Sequence, residues 1–261
     1  MHFLCIFAMP RTGSSHLNKL LKSCPGISAK SELFHGRAKT RFSEPEMQQI
    51  ESRAGDAAQD NATFAKWRRK HPADTLEALY EAGRPNVVAF KVFPGHLKKE
   101  TIETQLMGRS DIGFAILKRR PIECFISGLK AKSMSTFGRV DTTAIKPVLS
   151  AAEFREWAAR MKQWYGWTRR ALKERGMPYA EISFEKHLDG LSGEESLSVI
   201  LPLLEPLGLG GIEVSPHIFE GKRQDKEVRY QDRAANWEEF LAEVKADPEC
   251  AAYLEWAERA S

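Results

Sequence analysis

A short polar run near the start of the chain combines one cation with small residues whose hydroxyl or backbone groups can bind an anion. The run reads Pro10-Arg11-Thr12-Gly13-Ser14-Ser15-His16. Arg11 offers a permanent charge, and the hydroxyl groups of Thr12, Ser14 and Ser15 offer hydrogen-bond donors. Gly13 tolerates backbone angles that other residues avoid. These groups together suit an anion, above all a phosphate.

The residues around this run predict a buried strand followed by a helix. Residues 3–9 are mostly apolar, which is typical of a strand covered on both faces, and Pro10 ends it. The apolar residues that follow recur at helical spacing, at Leu17, Leu20 and Leu21. Ser14 and Ser15 stand where they would cap this helix. A helix that begins here directs N–H groups and a positive dipole end at an anion.

A second strand-to-helix junction carries a second group of cations. Residues 111–117 predict a buried strand that leads into Arg119, and Pro121 suits the first turn of the next helix. Ser127 lies eight residues after Arg119 within that helix, and the helical spacing predicts that Lys130 faces solvent. Ligands of open α/β sheets bind at the carboxyl ends of the strands, so both junctions are expected at one edge.

Acidic and imidazole side chains that could move a proton also follow predicted strands. Glu32 follows a short strand, and His96 follows a strand over residues 86–92. A carboxylate or an imidazole at this edge can accept a proton. His35 and His96 are rivals to Glu32, because imidazole titrates nearer neutral pH. Lys91 could reach a charged ligand from this edge or could face solvent.

The first run differs from the NTPase loop G-x-x-x-x-G-K-[ST], because it lacks the first Gly and the Lys. It resembles instead the 5′-phosphosulfate loop of sulfotransferases that use 3′-phosphoadenylyl sulfate (PAPS). The segment from Arg119 to Ser127 is similar to that family's R-x-P-x-[DE]-x-x-x-S pattern. Glu32-Leu-Phe is similar to a segment of the bacterial and carbohydrate branch, which includes nodulation-factor and trehalose-glycolipid sulfotransferases.

The resemblance implies a role for each matched residue, with no metal. The residues expected to bind the donor PAPS are Arg11, Thr12, Gly13, Ser14, Ser15, His16, Arg119, Ser127, Lys222 and Arg223. The residues expected to take part in catalysis are Glu32, Arg11 and His96. In the family, a basic loop like that of Lys222 and Arg223 often closes over the donor, and the alternative for this chain is a solvated charged loop. Many members have Lys where this chain has Arg11, and Arg can stabilise charge but cannot donate a proton.

The resemblance also implies an α/β, P-loop-like three-layer fold, with a central, mostly parallel sheet of about five strands flanked by helices. A length of 261 residues suits a single domain over 1–261. Residues 36–75 could be a lid-like insertion or a surface excursion. Residues 215–261 are expected to supply the donor-covering loop and C-terminal helices.

Composition narrows the class of protein further. No apolar run approaches the roughly 20 residues that cross a bilayer, and no basic region precedes the first strand as in a signal peptide. A net charge of +4 is weak evidence for nucleic acid, so none is expected as a partner. The four cysteines are scattered without a CxxC pair, which predicts buried thiols in a reducing cytoplasm.

The sequence leaves the acceptor open. The resemblance implies a small-molecule, glycan or lipid acceptor, with a hydroxyl of a carbohydrate, a glycolipid or a lipid headgroup as the nucleophile. Peripheral contact with a membrane and the oligomeric state also stay open. The alternative functions are a P-loop kinase-like phosphotransferase and a non-catalytic nucleotide-binding module.

Overall fold

Five parallel strands form the centre of the computed structural model, which describes residues 2–36, 42–134, 141–221 and 224–254. The strands are β1 (Phe3–Phe7), β2 (Ile27–Ala29), β3 (Val87–Val92), β4 (Ile112–Lys118) and β5 (Tyr179–Ser183). Their order is β2-β3-β1-β4-β5, and every neighbouring pair is parallel. The carboxyl ends of all five strands therefore lie at one edge, as predicted.

Helices cover both faces of the sheet, which confirms the predicted α/β class. In the first half of the chain they are α1 (Ser14–Lys22), α2 (Glu44–Ala54), α3 (Asn61–Lys70), α4 (Pro72–Gly83) and α5 (Lys99–Gln105). In the second half they are α6 (Pro121–Ser133), α7 (Ala151–Glu174), α8 (Phe184–His187), α9 (Gly193–Leu204), α10 (Trp237–Ala246) and α11 (Pro248–Leu254). None of the helices in the described ranges is both long and apolar enough to cross a bilayer.

Strand β1 lies between two separate parts of the core. Phe3, Cys5 and Phe7 pack on one side with residues of α2, α3, α4, α5 and α7. Leu4 and Ile6 pack on the other side with residues of α1 and α9. Successive side chains of a strand point to opposite faces, so a strand between two helix layers must be apolar throughout. This explains the continuous apolar run that predicts the strand.

The segment over residues 36–75 contributes to the core. Ile50 of α2 is fully buried and Phe64 of α3 is nearly so, and both belong to the cluster that contains Phe3 and Phe7. Their burial fixes α2 and α3 against the sheet. A closing motion over an acceptor stays a prediction for this segment.

Tyr165 of α7 joins the carboxyl ends of β1 and β4. Its hydroxyl donates to the carbonyl of Leu117 at 2.7 Å and accepts from the N–H of Met9 at 3.2 Å. The ring is fully buried, and burial raises the pKa of the hydroxyl well above its ordinary value. The tyrosine therefore stays protonated and able to donate to Leu117. A phenylalanine ring would fill the same space in the core, so the hydroxyl group is needed only for these two hydrogen bonds.

We expect Tyr165→Phe to lower the free energy of unfolding by about 1–3 kcal/mol, because the change leaves two buried backbone groups without this partner. Urea denaturation measures the loss. Tyr179→Phe, on the half-buried edge strand β5, is the matched control and should cost less than about 0.5 kcal/mol. Equal losses in the two variants would contradict a structural role for the Tyr165 hydroxyl.

Candidate active site

Four adjacent strands deliver charged side chains to the same edge of the sheet. Glu32 follows β2, Lys91 is near the end of β3, Arg11 follows β1 and Arg119 follows β4. Each of these strands runs in the same direction, so their carboxyl ends place the four side chains side by side. The edge thus brings three cations and one carboxylate together from distant parts of the sequence.

The loop between β1 and α1 takes a backbone path that requires Gly13. Its φ is 85°, and a Cβ at this position would lie 2.2 Å from a ring carbon of Phe184. Arg11 also has a positive φ, 69°, a conformation that costs a non-glycine residue about 1–2 kcal/mol. Thr12 is buried, and its hydroxyl donates to the carbonyl of Met9 at 2.7 Å. These constraints fix the loop before any ligand binds.

The prediction that Ser14 and Ser15 cap α1 is wrong. The N-cap residue is Gly13, and no side chain in the described ranges caps the helix. The hydroxyls of Ser14 and Ser15 instead accept hydrogen bonds from Lys91 Nζ, at 3.3 Å and 3.1 Å. Among the described residues, no side-chain acceptor therefore competes with an anion for the N–H groups at this helix end, where anions bind well.

Lys91 is the cation that the sequence left undecided between solvent and ligand. Only 2% of the residue is exposed, and its ammonium lies 3.6 Å from Glu32 Oε1 as well as beside the two serines. Burial lowers its pKa, while the adjacent carboxylate of Glu32 opposes that shift. A signal was present in the sequence, since a lysine in an otherwise apolar strand is seldom buried without a partner.

The two strand-to-helix junctions are in direct contact. Arg11 Nε donates to Ser127 Oγ at 3.0 Å, and Arg11 Nη2 donates to Gln224 Oε1 at 3.0 Å. Arg119 Nη1 donates to the carbonyl of Arg11 at 3.1 Å. Burial lowers the pKa of Arg11, and the neighbouring charge of Arg119 lowers it further. Two arginines held this close favour an anion between or beside them.

Arg119 retains an unused hydrogen-bond donor. Its guanidinium lies over the ring of Phe184, 4.2 Å from the centroid, and its Nη2 donates to Glu123 at 3.0 Å. Its Nε is buried and has no hydrogen-bond partner among the described residues. Glu123 is shared with Arg233, at 2.7 Å, so one carboxylate faces two guanidinium groups. The local charge balance is positive and suits a further anionic group.

His96 is held neutral beside Glu32. Its Nδ1 accepts from the N–H of Phe93 at 3.2 Å, so the proton of the neutral ring is on Nε2, which lies 3.8 Å from Glu32 Oε2. Burial lowers the pKa of His96 to about 4, with further lowering by His35, Lys91 and Arg69. The ring therefore presents an N–H to the carboxylate at neutral pH.

Glu32, His35 and His96 could in principle hold a metal, since one ligand atom from each lies within 4.8 Å of the others. The donor set does not suit one. A ring that accepts a hydrogen bond on Nδ1 carries its proton on Nε2 and could ligate there only as imidazolate. The ammonium of Lys91 beside Glu32 also opposes a second cation. The absence of a metal in the reaction stays a prediction.

The described part of the chain includes Gly221, the residue before the predicted donor-covering basic loop. The ring of His16 lies against Phe219, with centroids 5.5 Å apart, and a Cβ at Gly221 would meet it at 2.4 Å. The structure thus places His16 under the segment before the basic loop. Lys222 and Arg223 lie outside the described residues, and their contact with the donor stays a prediction.

The outward orientation predicted for Lys130 is wrong. The residue is 1% exposed and pairs with Asp225 at 2.6 Å, and Asp225 also pairs with Arg233 at 2.9 Å. The C-terminal segment folds back over α6 and covers a position that its own helix would leave in water. These pairs fix the backbone next to Gln224, the residue that contacts Arg11.

The fold is similar to that of a sulfotransferase domain of known structure. A sulfotransferase domain from the curacin biosynthetic pathway superimposes with a TM-score of 0.51 at 14% identity, over 98% of this chain and 97% of that one. A sulfotransferase domain from the olefin synthase of Synechococcus PCC 7002 gives a TM-score of 0.49 at 13% identity, over 100% and 96%. At 14% identity, the similarity to the domain from the curacin pathway shows a shared fold and nothing about activity. No protein-family model and no curated protein match the chain.

Proposed function

We propose that the protein is a sulfotransferase that moves a sulfuryl group from PAPS to a hydroxyl of its acceptor. One observation carries the proposal. Arg11, Lys91 and Arg119 converge with serine hydroxyls at one sheet edge, and the carboxylate of Glu32 lies 3.6 Å from Lys91. Sulfuryl transfer needs fixed cations for the leaving phosphate and a base for the nucleophile, and this edge supplies both.

The positions of these groups support a proposed set of donor contacts. The α1 end of the site, with Gly13, the two serines and Lys91, offers N–H groups and an ammonium to the 5′-phosphosulfate. Arg119 and Ser127 offer their groups to the 3′-phosphate, and the buried Nε of Arg119 is a donor that this phosphate would satisfy. A 3′-phosphate is what separates PAPS from ATP.

The transfer is an in-line displacement at sulfur, related in logic to phosphoryl transfer. A new bond forms between the acceptor oxygen and sulfur while the bond from sulfur to the 5′-phosphate oxygen breaks. Glu32 takes the hydroxyl proton. The electron pair of the broken bond stays on the phosphate of adenosine 3′,5′-bisphosphate, where Lys91 and Arg11 stabilise the added negative charge.

Glu32 fits the role of base better than either histidine. His96 presents an N–H at the site, and protonating its Nδ1 would break the bond from Phe93. With its pKa lowered to about 4, it is also a weak base at neutral pH. His35 lies beside His96 with ring centroids 5.5 Å apart and is the remaining rival. We assign His96 the positioning of Glu32.

The resemblance to the bacterial and carbohydrate branch extends the proposal to the acceptor. We propose a hydroxyl of a carbohydrate, a glycolipid or a lipid headgroup, used in the cytoplasm. The similar sulfotransferase domain from the curacin pathway belongs to a biosynthetic pathway, as its description states. A small biosynthetic intermediate is therefore the other acceptor class to include in an activity screen.

Ligand-dependent thermal stability tests the donor site first. Adenosine 3′,5′-bisphosphate at about 100 times its Kd should add roughly 2.7 kcal/mol of apparent stability. For a chain of this length that corresponds to about 5–11 °C in Tm, at 2–4 °C per kcal/mol. Adenosine 5′-phosphate, ADP and Mg-ATP are the controls and should give much smaller shifts. Stabilisation by Mg-ATP with none by the bisphosphate would overturn the proposal in favour of a kinase.

Turnover of PAPS over an acceptor panel separates an enzyme from a binding module. Release of the bisphosphate that depends on an added hydroxyl acceptor supports the proposed reaction. Selective binding of the bisphosphate without acceptor-dependent release over the panel would support a non-catalytic module.

A further inference from the structure

Two consecutive arginines at the end of α3 each bind a carbonyl group from a different loop of the candidate active site. Arg68 Nη1 donates to the carbonyl of Leu33, the residue after Glu32. Arg69 Nε donates to the carbonyl of His96 at 2.8 Å, and its Nη2 donates to that of Gly95 at 3.1 Å. The two loops that carry Glu32 and His96 are thus attached to one short stretch of helix.

The two arginines differ in burial. Arg68 is 1% exposed, and its guanidinium lies over the rings of Phe42 and Phe64, at 5.4 Å and 5.0 Å. Burial lowers its pKa to about 10, so it stays charged at neutral pH. Arg69 is exposed on the outer side of the same turn. Arg68 is therefore part of the core, whereas Arg69 can be changed without opening a cavity.

Arg69 reaches both loops. Besides its two bonds to the His96 loop, its Nη1 lies close to the loop of Glu32, since a Cβ at Gly36 would be 3.4 Å from it. Helix α3, which carries both arginines, is itself held in place. Phe64 of α3 is buried in the core, and Gln105 Nε2 of α5 donates to the carbonyl of Lys70 at 3.0 Å. Movement of either loop would break hydrogen bonds to a fixed helix.

We propose that Arg68 and Arg69 are positioning residues that clamp the two loops together and so hold Glu32 beside His96 and Lys91. The inference rests on the proposed function, because it concerns the same site. The clamp acts through backbone carbonyls and touches no reacting atom. It gives the segment over residues 36–75 a role in catalysis that does not require closure over the acceptor.

The charge of Arg69 has a second effect on the site. Four groups face His96 from the elements around it, namely Glu32, His35, Lys91 and Arg69. Arg69 is one of the cations that disfavour the protonated ring. The clamp therefore also helps to keep His96 neutral, which preserves the N–H directed at Glu32.

Three variants separate the hydrogen bonds of Arg69 from its charge. Arg69→Ala removes both, and Arg69→Lys keeps the charge but cannot bind two carbonyls with a planar fork. Lys70→Ala removes a neighbouring exposed cation and is the matched control. Melting temperatures close to that of the unmodified protein establish that each variant folds.

NMR titration of the histidine Cε1–H resonances tests the charge effect without any assay of sulfuryl transfer, and His96→Gln assigns the signal. We expect Arg69→Ala to raise the pKa of His96 by about half a unit or more, and Arg69→Lys to leave it nearly unchanged. An unchanged pKa in Arg69→Ala would overturn this part of the inference, whatever the enzyme does.

Kinetics test the positioning effect. We expect kcat to fall about tenfold or more in both Arg69→Ala and Arg69→Lys, with the Kd of adenosine 3′,5′-bisphosphate unchanged, because small displacements of catalytic groups are costly. A kcat in Arg69→Lys equal to that of Lys70→Ala would overturn the clamp. If the unmodified protein shows no acceptor-dependent turnover, the proposed function fails while the NMR result still decides whether Arg69 acts on His96.

Discussion

Glu32→Gln is expected to reduce kcat by about 10²–10⁴-fold while the Kd of adenosine 3′,5′-bisphosphate changes by less than about threefold. The carboxylate lies 3.6 Å from Lys91 and 3.8 Å from His96 Nε2, so it is oriented by two groups on β3 and the loop after it. The amide keeps the size of the side chain but cannot accept the hydroxyl proton. Steady-state kinetics and calorimetric titration measure the two quantities.

The control for Glu32→Gln is Glu51→Gln, which removes an exposed carboxylate from α2. We expect its kcat to stay within a factor of two of the unmodified protein. A kcat in Glu32→Gln that matched this control would exclude Glu32 as the base. The same measurement on His35→Gln would then decide whether the rival imidazole takes that role.

Arg119→Met is expected to weaken binding of adenosine 3′,5′-bisphosphate by about 10- to 150-fold, the effect of losing charged hydrogen bonds worth about 1.5–3 kcal/mol. Methionine keeps an apolar stem against Phe184, where the guanidinium now lies 4.2 Å from the ring centroid. Glu123 keeps its pair with Arg233, so no buried carboxylate is left without a partner. The variant should therefore fold, and its defect should be in binding.

Adenosine 5′-phosphate lacks the 3′-phosphate, so its binding to Arg119→Met shows whether the lost affinity depends on that group. If Arg119 binds that group, Arg119→Met should weaken the bisphosphate far more than the monophosphate, and the difference is the coupling between residue and phosphate. Lys132→Ala removes an exposed cation from α6, the helix that follows Arg119, and is the matched control. Equal weakening of both nucleotides would place Arg119 at the 5′ side of the site and contradict the assignment.

The strands of the sheet were readable from the sequence because their physical constraint is local. A strand between two helix layers must be apolar at nearly every position, as in residues 3–7, and short apolar runs of this kind mark all the inner strands. That pattern predicts where the strands end, and the α/β fold that the resemblance implies places those ends at one shared edge. Glycine at position 13 was likewise readable, since the turn requires a positive φ.

Contacts between distant segments were not readable in the same way. Lys130 has the spacing of an exposed helical residue, yet Asp225 covers it from 95 residues away. Ser14 and Ser15 are residue types that often cap helices, yet their hydroxyl groups accept hydrogen bonds from Lys91. In both cases the prediction used only neighbouring residues, whereas the observed contact is made by a residue far away in the sequence.

The sequence by itself thus determined which residue types could bind phosphate and the strand ends that carry them, because periodicity and turn chemistry act within a few residues. Only the tertiary structure decided which of these groups meet. Parallel pairing of β3 beside β1 brings Lys91 between Glu32 and the loop that joins β1 to α1. Helix α3 attaches the loops of Glu32 and His96 through Arg68 and Arg69. Strand order and helix packing depend on the whole chain, since each side chain can be buried only where another segment covers it.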